Sequence, residues 1–125
     1  NLVMSNLTIG SAANPYPAAM NLINVTAALT NSNVFVAESP SPSNPLIDIG
    51  GITLTGSSLV MQLSKLSVYG TPNLSTAISL NNGSSLTLND SQLNTFSNNE
   101  IYLSAIDLGS NSMAVINNST LTVNL

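Results

Sequence analysis

The chain has 125 residues, 43% of them hydrophobic and only 5% charged, with five acidic residues against one lysine and a net charge of −4. A single basic side chain cannot neutralise a run of phosphates or hold an anionic bilayer, so nucleic acid and charged membrane surfaces are excluded as partners. With no cysteine and no histidine, disulfide frameworks, thiolate metal sites and His-activated serine nucleophiles are excluded as well.

Asn, Ser and Thr replace the missing charge, at 19, 20 and 11 residues, or 50 of 125. Disorder pairs low hydrophobicity with high net charge, and this chain has neither, so a folded core is expected. A surface of amides and hydroxyls keeps its character over a wide pH range, which suits an extracellular or cell-surface location. No apolar run has the length of a membrane-spanning helix. No basic stretch followed by an apolar one opens the chain, so a secreted form is expected to be the mature one.

In chain order, the first element is Ser5-Asn6-Leu7-Thr8-Ile9, where apolar and polar residues alternate as in a strand. After "NPYP" at 14–17 comes a second apolar pair, Met20 and Leu22. The same two elements then return. Ser32-Asn33-Val34-Phe35-Val36 is followed by "ESPSPSNP" (38–45) and the pair Ile47 and Ile49, then by an extra short strand in "GGITLTG". Ser64-Lys65-Leu66-Ser67-Val68 is followed by Ile78 and Leu80, and Ser91-Gln92-Leu93-Asn94-Thr95 by Ile106 and Leu108. Ser119-Thr120-Leu121-Thr122-Val123 is the fifth serine element. The five serines are spaced 27, 32, 27 and 28 residues apart, and each apolar pair starts 14 or 15 residues after its serine. A third column, Leu2, Leu29, Met61, Leu88 and Ile116, lies three residues before each serine.

A unit of about 27 residues holding three short strands between Asn/Ser/Gly corners is one coil of a solenoid. The expected fold is all-β: a parallel β-solenoid of about five coils, a single domain over residues 1–125, standing alone or as a segment of a longer assembly. The competing fold is a β-sandwich or jelly roll with a strand-donating terminus. Stacking of Leu66, Leu93 and Leu121 one coil apart decides between them. The prolines of the two loops cannot donate to a ladder, so both segments leave the coil and, with Tyr16 and Tyr69, offer a small lateral surface.

Ser5, Ser32, Ser64, Ser91 and Ser119 are expected to stack at an inward corner as a structural ladder, their hydroxyls bonded to one another. Seven Asn-x-Ser/Thr sequons, at Asn6, Asn24, Asn73, Asn82, Asn89, Asn117 and Asn118, are candidate N-glycosylation sites at corners or outward positions. Asp48 and Asp107 share a phase in "IDI" and "IDL", the one arrangement that resembles a glycosidase carboxylate pair. Ser79 and Asn21 occupy the neighbouring coils, and no aromatic platform accompanies the pair, so it reads as solvated strand residues and no catalytic site is assigned. No cluster of residues fit for a metal or a cofactor is present. The outward column Thr8, Phe35, Ser67, Asn94 and Thr122 is too mixed for an ice-binding array.

The phrase "SSLTLNDSQLNTFSNNEIYLSAIDL" (Ser84–Leu108) resembles right-handed parallel β-helices of the pectin-lyase-like class, in particular repeats of bacterial and archaeal surface proteins and adhesins. Catalytic members of that class carry an Asp cluster or a Lys/Arg base, which is not matched here, so the resemblance implies a non-enzymatic surface role. Solenoid ends are open edges that charge, proline or a helix normally protects. Neither "NLVM" nor "STLTVNL" carries such protection, and the fifth serine element lacks its apolar pair. Leu2, Leu7, Ile9, Leu121, Val123 and Leu125 are therefore expected to form an assembly edge. The function expected is a structural subunit of an extracellular filament or cell-surface appendage that binds other copies of itself. A surface adhesin or glycan-binding glycoprotein is second, and a polysaccharide-degrading enzyme a distant third.

Overall fold

The computed structural model describes residues 2–6, 8 and 9, 20–37, 49–70, 74–97 and 102–124. Strands β1 (Leu2–Ser5), β2 (Thr8–Ile9) and β3 (Met20–Ile23) make the first coil, and β4 (Thr26–Thr30), β5 (Asn33–Ala37) and β6 (Ile49–Thr55) the second. The third holds β7 (Ser58–Gln62), β8 (Lys65–Gly70) and β9 (Leu74–Asn81), the fourth β10 (Ser85–Asn89), β11 (Gln92–Ser97) and β12 (Tyr102–Leu108). Strands β13 (Met113–Asn117) and β14 (Thr120–Asn124) begin a fifth. No helix occurs among the described residues.

Strands one coil apart pair in parallel, giving three sheets in the orders β1-β4-β7-β10-β13, β2-β5-β8-β11-β14 and β3-β6-β9-β12. The fold is a parallel β-solenoid, and Leu66, Leu93 and Leu121 do stack in successive coils. All three sheets turn one face to a shared core. Its columns are Ala27-Leu59-Leu86 and Leu29-Met61-Leu88 in the first sheet, Val34-Leu66-Leu93 in the second, and Ile52-Ile78 with Leu22-Leu54-Leu80 in the third. Each of these side chains is at most 5% exposed. Burying one Leu, Ile or Val side chain contributes about 1.5–3 kcal/mol, and only stacking supplies that burial.

The corners are made by residues in the left-handed backbone region. Between the first and second sheets these are Asn6, Asn31, Leu63, Asp90 and Asn118, with φ from 44° to 54° when the other corner's Asn82 is included. Between the third and first sheets they are Asn24, Gly56, the Asn82–Gly83 pair and Asn111. A single left-handed residue reverses the strand twist and redirects the chain into the next sheet. Asn and Gly adopt that conformation at least steric cost, which explains the asparagine content of the corners.

Three sequence expectations are corrected by this register. Ser5 does not stack on Ser32. It pairs with Thr30, while Met4, not Leu2, lies over Leu29, and Leu2 lies over Ala27. A two-residue shift keeps the inside–outside alternation of a strand, so the hydrophobic pattern is blind to it. The corner decides, by placing Asn6 over Asn31 with an amide bond of 2.6 Å from Asn31 Nδ2 to Asn6 Oδ1. The position equivalent to Ser32 then counts to Leu7, which lies outside the described residues.

Secondly, the third-sheet column of the second coil is filled by Ile52 and Leu54 rather than Ile47 and Ile49. Ile49 pairs with Ser75, and Ile47 lies outside the described residues. Thirdly, Asp107 stacks on Ser79 and Ser79 on Thr53, so Asp48, also outside the described residues, has no place in that column. The proposed outward column loses Thr8, which pairs with Asn33; Phe35, Ser67, Asn94 and Thr122 do stack, but Ser67 and Asn94 are buried, with Asn94 Nδ2 donating to Ser67 Oγ at 3.4 Å. Both proline loops fall outside the described residues.

Candidate functional site

Two serine ladders run along the solenoid. At the first corner Ser32, Ser64 and Ser91 each donate a backbone N–H to the hydroxyl of the serine one coil on, at 3.1, 3.2 and 3.0 Å, ending at Ser119. Each hydroxyl in turn donates to the carbonyl two residues back: Ser32 to Thr30, Ser64 to Gln62, Ser91 to Asn89 and Ser119 to Asn117, at 2.7–2.9 Å. The hydroxyls therefore do not bond to one another, as the sequence led us to expect. Each closes its own corner and caps the N–H above it.

A second ladder at the other corner escaped the sequence reading. Val25, Ser57 and Ser84 donate N–H groups to the hydroxyls of Ser57, Ser84 and Ser112 at 3.0–3.2 Å. The signal was present in the residue before each serine. Asn31, Gly56, Gly83, Asp90, Asn111 and Asn118 each precede a ladder serine and each has positive φ. Ser32, Ser57, Ser64, Ser84 and Ser91 are buried and committed to these bonds, so they are scaffold groups rather than nucleophiles.

The sequons fall on the same corners. Asn6, Asn24, Asn82 and Asn118 are left-handed corner residues with exposed side chains. Asn89 and Asn117 stack at strand ends, where Asn117 Nδ2 donates to Asn89 Oδ1 at 2.9 Å. Asn73 lies outside the described residues. The acceptor hydroxyls differ sharply: Ser84 and Ser91 are buried in the ladders, whereas Thr26 and Thr120 are exposed. Asn24 and Asn118 thus have both sequon groups at the surface.

The remaining feature is the rim formed by β12, β13 and β14, each paired on one side only among the described residues. The side chains stacked directly above them, Leu80, Leu88, Leu93 and Thr95, are fully buried, whereas Leu108 is 54% exposed, Ile116 46%, Leu121 37% and Val123 46%. Of the expected edge residues, Leu121 and Val123 belong to this rim, and Leu2 is exposed at the opposite end. Ile9 lies in β2 over Val34, its side chain outside what is described, as are Leu7 and Leu125. Leu108 and Ile116 were missed because both sit inside repeats that read as core.

The charged side chains among the described residues are Lys65, Asp90 and Asp107; Asp107 faces outward from β12, and Asp90 accepts a hydrogen bond from Asn118 at the corner between β13 and β14. The outer face of the first sheet carries Val3, Ala28, Val60, Thr87 and Val115 as its middle column and no charge at all. Among the described residues no group of three or more His, Cys, Asp or Glu is placed to hold a metal ion, and no helix is long and apolar enough to cross a membrane. Among the described residues, the arrangement offers an apolar, hydrogen-bonding edge. Comparison with family models, with curated proteins and with solved structures yields no match.

Proposed function

We propose that the chain is a structural subunit of an extracellular filament or cell-surface appendage, joined to its neighbours by β-strand contacts. The observation that supports this reading is that the apolar columns are buried only where one coil stacks on the next. Strands β12, β13 and β14, each paired on one side only among the described residues, thus present a template for further strands beside four apolar side chains 37–54% exposed. Apolar area of that kind is stabilised by about 25 cal/mol per Å² when covered, and strand addition pairs the backbone groups in the same step. Native edges are usually defended by Lys or Pro, and β13 and β14 carry neither. The amide and hydroxyl surface fits an exterior setting, where pH and salt vary.

Electron microscopy of the purified chain tests the reading. Fibres are expected, and they should persist in high salt because so little charge takes part. A chain that stays monomeric at high concentration in both low and high salt refutes it. A second reading, a surface adhesin or glycan-binding module, is favoured by one observation, the broad uncharged outer face of the first sheet. It predicts glycan binding that Val60→Lys abolishes while the rim is left intact.

A further inference from the structure

We infer that Ser67 and Asn94 form the floor of a sugar-binding site on the outer face of the second sheet, between Phe35 and Phe96. The site lies in the third and fourth coils, with a coil stacked on either side of it. It is independent of the strand-contact reading, and it gives the glycan-binding reading a site on a sheet other than the first.

Three observations single the pair out. Both side chains point away from the core, because their strand neighbours Leu66 and Val68, and Leu93 and Thr95, are the fully buried inward residues. Yet Ser67 is only 3% exposed and Asn94 9%, whereas every described side chain on the outer face of the first sheet is half-buried or exposed. Lastly, their hydrogen-bonding capacity is not filled. Asn94 Nδ2 donates to Ser67 Oγ at 3.4 Å, longer than the usual bond of about 2.7–3.2 Å. The Asn94 carbonyl oxygen, its second amide hydrogen and the Ser67 hydroxyl hydrogen have no partner among the described residues. Buried polar groups are almost always satisfied, so a pair left open calls for a bound group that completes it.

The open groups dictate what that bound group is. One acceptor beside two donors matches a vicinal diol: one hydroxyl donates to Asn94 Oδ1 while its neighbour accepts from Nδ2 and from the Ser67 hydroxyl. The flanks are aromatic. Phe35 stands directly over Ser67 in the same column, and Phe96 follows Asn94 by two residues on the same face, both half-buried. With strands about 4.8 Å apart and a rise of about 3.3 Å per residue, their Cα atoms are about 12 Å apart, room for one pyranose ring entering edge-on. A sugar offers this combination, with apolar C–H faces for the rings and hydroxyl pairs along its edge. The only charge on this face among the described residues is Lys65, exposed two residues before Ser67, and there is no carboxylate to hold a bridging cation. The ligand is therefore a neutral sugar held by direct hydrogen bonds.

The double variant Ser67→Ala/Asn94→Leu provides the test. It replaces both polar partners by apolar groups of similar shape, a change that is neutral or stabilising to a fold that leaves them unsatisfied. It should therefore unfold in urea at or above the midpoint of the parent. The probes are cellohexaose, maltohexaose, mannohexaose and fully acetylated chitohexaose, each titrated calorimetrically into the folded chain. The unaltered chain is expected to bind at least one of them, with an affinity that falls about tenfold or more in the double variant. Phe96→Leu should weaken the same sugar, and saturation transfer from the aromatic protons should reach its ring C–H groups. Lys65→Gln should leave the affinity unchanged.

Failure of the unaltered chain to bind any of the four sugars overturns the inference, the pair then holding no more than a trapped water. So does a sugar that the double variant binds equally well. If Val60→Lys abolishes binding and the double variant retains it, the sugar sits on the first sheet: the site inferred here falls and the glycan-binding reading stands. The expected pattern in a chain that forms no fibres upholds the site while the filament reading fails.

Discussion

Leu63 is the one corner residue whose identity opposes its conformation, and replacing it measures what the corners contribute. It sits at φ 50° and is 59% exposed, in a column otherwise made of Asn6, Asn31, Asp90 and Asn118. A side chain with a β-carbon in the left-handed region costs about 1–2 kcal/mol, a penalty that Asn largely escapes by local hydrogen bonding. In Leu63→Asn the new amide also lies between Asn31 and Asp90, where its neighbours already bond along the column, Asn31 to Asn6 at 2.6 Å and Asn118 to Asp90 at 2.5 Å. Such an exposed bond adds at most about 0.5 kcal/mol, toward the low end for hydrogen bonds. The expected net stabilisation is about 1–2 kcal/mol, or roughly 4 °C in Tm per kcal/mol for a chain of this size.

Urea unfolding followed by circular dichroism, at low protein concentration and with an unchanged m-value, reads the effect directly. Leu63→Gly should gain less, because glycine also loosens the unfolded chain. Leu63→Ala keeps the β-carbon and should gain nothing. If Leu63→Asn unfolds at lower urea than the parent, or Leu63→Ala gains as much as Leu63→Asn, backbone conformation does not govern these corners. Nothing in the structure explains why leucine occupies this position.

Ser91→Ala removes the acceptor of the Ser64 N–H inside a buried corner and should cost about 1–3 kcal/mol by the same unfolding assay. Ser119→Ala, at the half-exposed last rung, should cost clearly less. Gly51→Ala places a methyl group 2.5 Å from Val68 Cγ2 and 2.7 Å from the Ala77 carbonyl oxygen, so the overpacked core should lose about 1–3 kcal/mol. Leu93→Ala, at a fully buried position between Leu66 and Leu121, should lose about 2–5 kcal/mol, and a loss below 1 kcal/mol would mean that the columns do not carry the fold.

The repeat itself was legible without coordinates. Spacing of serines and apolar pairs sufficed for coil length, parallel stacking and the Leu29-Met61-Leu88, Val34-Leu66-Leu93 and Ile78–Ile106 columns, because apolar residues at a fixed period have no other way to be buried together. Register within a coil was not legible where it shifted by an even number of residues. Ser5 could align with Ser32 or Thr30 without any side chain changing face. Ile47 and Ile52 lie five residues apart, but each opens an apolar pair with the same spacing, so either pair matches Ile78 and Leu80. The tie was broken by backbone conformation at Asn6 and Asn31 and by the close packing of Gly51 against Val68 and Ala77, which burial patterns do not encode. The second serine ladder was hidden for a related reason: its mark is the left-handed residue before each serine, Gly56, Gly83 or Asn111, and such a residue favours that conformation without fixing it. The rim was half legible. Leu121 and Val123 stood out as a repeat without its apolar pair, but Leu108 and Ile116 have the same sequence surroundings as their buried column mates. Exposure there depends on which strands lie beneath them, and a pattern that repeats along the chain does not encode that.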